Sequence, residues 1–209
     1  MAYLAGFHFH LDLDFYVLDI READEYLKSI VSRYSDLIFN QRTEVHARLE
    51  EGSLKANLII LGAIYIGIGQ YGSFRSGIDY LIKDAKAMKD LVTSEIVRNG
   101  LNESDIIEVK RLYCDPDRIR RVLLAIDRVE LKPNLSEQDH AREVSRIKAS
   151  VRKICYSIDE KDAGLFASSI PEKYWPEDPQ IPYFVDRYRV LAREEDLARY
   201  PVTNKNRLG

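Results

Sequence analysis

The stretch "HFHLDLD" sets His8, His10, Asp12 and Asp14 at every second position. In an extended strand alternate side chains leave the same face, so two imidazoles and two carboxylates would share one surface. Imidazole nitrogen with carboxylate oxygen suits zinc, iron or manganese, the chemistry of a small metal-dependent hydrolase. A second candidate is "IYIGIGQYGSFRSG", Ile64 to Gly77, where Gly67, Gly69 and Gly72 stand in the spacing G-x-G-x-x-G after an aliphatic run. Such glycines let backbone approach a pyrophosphate, provided a strand leads in and a helix leads out.

Neither motif is complete. The H-x-H resembles the opening of amidohydrolase-type enzymes over these few residues only. That resemblance implies further ligands on later barrel strands, whereas the remaining histidines, His46 and His140, fall on expected helices. After Gly72 one helical pattern runs to Ile96, in place of the second strand and acidic residue that would hold a ribose. There is no G-K-S, G-K-T or G-x-S-x-G, and neither Cys114 nor Cys155 has an evident histidine beside it. No catalytic residue set and no cofactor are therefore expected. The run "RIRRVLLAIDR" brings Arg118, Arg121 and Arg128 near one another on a helix, where a phosphate or acidic partner would fit. Asp115, Asp117 and Asp127 beside them favour a solvated, salt-bridged face instead.

The whole chain sets wider bounds. Its 209 residues, 45% hydrophobic and 31% charged, suit one ordinary globular domain that needs no metal or disulfide. The net charge is -3, from 31 basic and 34 acidic side chains spread along the chain, which argues against a nucleic-acid partner. Two cysteines without a C-x-x-C, and a start that lacks a secretion signal, place the expected setting in the reducing cytoplasm.

Elements must position these groups. Phe7, Phe9, Leu11, Leu13 and Phe15 alternate with the His and Asp residues, predicting a strand over about Phe7 to Val17. Leu27, Ile30, Val31, Tyr34, Leu37, Ile38, Val45 and Leu49 predict one long helix from Glu22 to Glu51, stopped by Gly52. The segment from Leu58 to Gly69 reads in three ways. It is a nucleotide loop, a shallow membrane insertion, or, preferred, a buried central helix with Gly62, Gly69, Ser73 and Ser76 or Gly77 near one line. A helix from Phe74 to Ile96 ends at Gly100, a strand spans Ile106 to Tyr113, and a helix runs from Pro116 to about Glu130 with Asp115 as its cap. Ser136 caps another, in which Val144, Ile147, Val151, Ile154 and Ile158 make a heptad seam that pairs within the fold or between chains.

The fold expected is α+β and predominantly helical: four or five helices and a small sheet including the N-terminal strand. Residues 1–158 form this core domain. Residues 159–209 form an irregular arm packed on it, because Tyr174, Trp175, Tyr183 and Phe184 are too apolar for a free tail. The function expected is a non-enzymatic interaction or assembly subunit with a protein partner or a second copy. Its contacts would come from Gly62, Gly67, Gly69, Gly72, Arg75, Val144, Ile147, Val151 and Ile154. One alternative is a membrane-associated effector that inserts residues 58–69 on activation; another is the hydrolase built on His8 and His10.

Overall fold

The computed structural model describes residues 1–12, 19–50, 54–69, 73–132 and 136–176. Strand β1 (Ala2–Leu11) keeps the expected alternation: Phe7, Phe9 and Leu11 are buried, while His8 and His10 are half-exposed on the other face. Helix α1 (Ile20–Ile38) starts where the Asp19 carboxylate accepts from the Arg21 and Glu22 N–H groups, at 2.8 and 3.3 Å. Its stripe of Leu27, Ile30 and Val31 is buried. Then come β2 (Glu44–Glu50), β3 (Leu54–Gly62), α2 (Ile64–Gly69), α3 (Phe74–Arg98), β4 (Ile106–Arg111), α4 (Asp115–Glu130), α5 (Glu137–Ser157) and α6 (Glu160–Ser168).

The four strands form one antiparallel sheet in the order β2-β3-β1-β4. With α1 joining β1 to β2, and α2 and α3 joining β3 to β4, this is the split β-α-β, ferredoxin-like topology. Helices α1 and α3 touch each other and the sheet, over Phe7, Phe9, Ala56, Leu58 and Ile60. Each such large side chain taken from water contributes about 1.5–3 kcal/mol. Helix α4 then lies against α3, and α5 against α4, widening the helical layer beyond the sheet. The class is therefore α+β and helix-dominated, with six α-helices among the described residues.

Four details depart from the sequence expectation. The long helix over Glu22 to Glu51 is α1 followed by strand β2, because Val45 and Leu49 are four apart and satisfy a period of two as well as 3.6. The half-buried Val45, Ala47 and Leu49 alternate with exposed Glu44, His46, Arg48 and Glu50, which decides for the strand. The central apolar helix is instead strand β3 and the short α2; Ala56, Leu58 and Ile60 turn inward at alternate positions. The sheet is larger than expected, because these two strands complete it. In the arm, residues 160–168 are the regular helix α6 and Glu172–Tyr174 a 3-10 turn, with Tyr174 fully buried. Expectations placed on Leu13 to Val17, Gly52 and residues 177–209 lie outside the described residues.

The glycines mark a close approach of α2 to α3. A methyl added at Gly77 would stand 2.9 Å from the Ile68 Cα and 2.7 Å from its Cγ1, whereas one added at Gly69 meets nothing within 4 Å. Gly77→Ala should then destabilise by about 1–3 kcal/mol. Gly69→Ala should change stability by less than about 1 kcal/mol, in the stabilising direction. Urea denaturation of the two variants checks the contrast, and equal midpoints would refute it.

Candidate functional site

The residues singled out by spacing do not come together. Gly62 ends β3 and is buried, Gly67 is buried against Leu81, Gly69 is exposed and Gly72 lies outside the described residues. A phosphate on the glycine motif would need the free N–H groups that open a helix. Those of α2, on Ile64 and Tyr65, donate at 3.0 and 2.7 Å to the carboxylate of Asp162 in α6. An internal carboxylate already holds that position, Gly67 and Gly69 lie in the second half of α2, and the helix that follows the motif, α3, is capped by Ser73, whose hydroxyl accepts the Ser76 N–H. Arg75 pairs through both terminal nitrogens with Asp127, at 2.6 and 2.8 Å, and ties α3 to α4.

His8 Nδ1 lies 2.9 Å from the Asn57 amide oxygen, His10 is half-exposed, Asp12 is exposed, and Asp14 lies outside the described residues. Among the described residues no three His, Cys, Asp or Glu side chains gather as a metal site would require. In the segment from Leu58 to Gly69, Leu58, Ile60, Ile64 and Ile68 are buried, while Ile59, Leu61 and Ile66 are half-exposed and Tyr65 is exposed. Among the described residues no helix is long and apolar enough to cross a membrane.

The heptad seam pairs within the chain. Ser136 caps α5 through the Asp139 N–H, and Ile147, Val151 and Ile154 are buried beside half-buried Val144 in the core shared with α4. Above this seam the two helices leave a groove of about 500 Å³. Arg118, Arg121, Val122 and Ala125 line it from α4, at the spacing of one helical stripe. Glu143, Arg146, Ile147, Ser150, Lys153 and Ile154 line it from α5, and Tyr113 lines it from the segment before α4. Its lining therefore holds four cations and one carboxylate on a chain with an acidic net charge.

The cations differ in how they are held. Arg118 donates to Asp115 Oδ1 at 2.7 Å and to Ser157 Oγ at 2.8 Å. Arg146 donates to Glu143 Oε1 at 3.0 Å. Arg121 and Lys153 are exposed, and neither side chain has a hydrogen bond or ion pair among the described residues. Two positive charges thus face the groove without a counter-ion among the described residues.

Polar contacts tie the head of α4 to its neighbours. Asp115 is 3% exposed and also accepts the Tyr3 N–H at 2.9 Å, joining β1 to the head of α4. Burial pushes its carboxyl above the ordinary range, while the Tyr3 N–H and the Arg118 guanidinium pull it back. Arg111 grips Asp117 through both nitrogens, at 2.7 and 2.5 Å, one residue-pair further along. Between them Cys114 is buried, and burial with the neighbouring Asp117 pushes its thiol up to about 12. Burial takes Cys155 to about 11. Neither sulfur is a nucleophile at neutral pH.

Sequence reasoning reached Arg118, Arg121, Ile147 and Ile154 but placed them in two unrelated features. It missed Tyr113, Arg146, Ser150 and Lys153. The signal for the last three was present as polar positions beside the seam, at spacings of three and four from Glu143 onward. Compared with models of protein families, with curated proteins and with solved structures, the chain returns no match.

Proposed function

We propose that this chain is a non-enzymatic interaction subunit that receives a protein through its helical layer, at the groove between α4 and α5. The observation that carries the reading is the pair Arg121 and Lys153, without a counter-ion among the described residues, beside an apolar floor of Val122, Ala125, Ile147 and Ile154. Solvated cations over an apolar strip are what a polar rim around a buried contact needs. The groove supplies positive charge and shape. A reducing, cytoplasmic setting accords with two free cysteines.

The test is a photo-activated cross-linking amino acid placed at Ser150 in the groove, with Ser94 on the exposed part of α3 as the control. The expected result is a discrete adduct of one protein at position 150, lost when Arg121→Glu and Lys153→Glu are combined. Its mass tells a second copy from a different chain. No adduct above the Ser94 control, or one indifferent to the double reversal, overturns the proposal.

A further inference from the structure

The groove's form narrows what the partner presents, and the argument rests on the interaction reading above. From Glu143 to Ile154 the α5 wall is roughly 16 Å of helix, about three turns. Two antiparallel helices with a trough between them match the ridge of a third helix laid along it. The trough's floor is apolar, from Val122 and Ala125 on one side and Ile147 and Ile154 on the other. Its rims are cationic on both sides, Arg118 and Arg121 on α4, Arg146 and Lys153 on α5.

We infer that the occupant is an acidic amphipathic helix of a partner protein, with a narrow apolar ridge flanked on both sides by Glu or Asp. Its ridge meets the floor, and its flanking carboxylates meet Arg121 on one rim and Lys153 on the other. The placement of charge selects this class. Among the described acidic side chains only Glu143 lines the groove, and Arg146 already engages it. A basic helix would meet four like charges there. An acidic one meets two cations that give up no bond to the described residues to receive it, so its attraction is not offset by breaking such a pair.

The probe is a helix-stapled peptide of about fourteen residues, with leucines at spacings of three and four and glutamates beside them. Its twin carries lysine for every glutamate. Binding is read by fluorescence anisotropy on the full chain at low and high salt, and inorganic pyrophosphate is titrated separately. The acidic peptide should bind and the basic twin should not. Arg121→Glu with Lys153→Glu should weaken the acidic peptide about tenfold or more and confer binding of the basic twin. Added salt should weaken both pairings. Circular dichroism confirms that the reversed chain is folded, since both positions are exposed.

Equal binding of the twins, no binding of the acidic peptide, or no exchange of preference on charge reversal overturns the inference. Uptake of pyrophosphate that depends on Arg121 and Lys153, with no peptide bound, overturns it in favour of a small anionic ligand. An adduct at Ser150 with a partner whose contact segment is neither acidic nor helical removes this inference and leaves the interaction reading standing. Absence of any adduct removes both.

Discussion

Asp162→Ala should cost about 3 kcal/mol of folding stability, and thermal unfolding should move down by about 6–12 °C. The carboxylate is 1% exposed and accepts two backbone N–H groups at the start of α2, 98 positions away in the chain. Alanine would leave the buried Ile64 N–H and the neighbouring Tyr65 N–H without their acceptor. Each unsatisfied donor costs about 1–3 kcal/mol. Burial pushes the Asp162 carboxyl above its ordinary range, against the pull of those two N–H groups, so the site already bears a desolvation cost that the bonds offset. Asp162→Asn keeps one carbonyl acceptor and should lose about half as much. Differential scanning calorimetry of the three proteins decides. If alanine melts with the native chain, α2 is held by packing alone.

The second large effect lies in the C-terminal region. Tyr174→Ala should lose about 3–5 kcal/mol, the range for emptying a fully buried aromatic site. Its ring is 0% exposed, and its hydroxyl donates to Glu130 Oε1 at 2.8 Å, at the last turn of α4. Tyr174→Phe keeps the ring and should cost only about 1 kcal/mol. Denaturant unfolding with a single transition would show that residues 160–176 melt with the core. An alanine variant as stable as the native chain would show that they do not. With a native stability on the order of 5–15 kcal/mol, either alanine substitution removes a substantial fraction.

Much of this fold is legible in the sequence, and its failures have definite physical causes. The helices around Ile82, Ile126 and Ile154 announce themselves because each is long enough to show several turns of one buried stripe. Strand β2 does not, since a seven-residue strand offers only Val45, Ala47 and Leu49, and the outer two also fit a helix. Strand β3 is apolar on both faces at Leu58, Ile59, Ile60 and Leu61, so alternation is blurred and it merges with α2 into one apparent helix. The groove was legible only in halves. Arg118 and Arg121 read as one helix's basic run with acidic neighbours, while Arg146 and Lys153 lie on another helix. Their sum depends on α4 and α5 running antiparallel, which no local spacing encodes. Asp162 escaped for the same reason, because the donors it satisfies belong to a helix far upstream.

The position of β1 in the sheet also governs how the chain reaches this structure. Phe7 stands opposite Leu58 on one side and Arg111 on the other, so the strand nearest the amino terminus is internal and borders two strands that arrive much later. Pairings so distant in sequence lose loop entropy before they gain contacts, and such topologies cross their barrier slowly. Until β4 arrives, Phe7, Phe9 and Leu11 lie on a strand with one edge unpaired, a template for association with other chains. A chain ending before Ile106 keeps that edge open permanently, so premature termination yields an aggregating species rather than a smaller folded one.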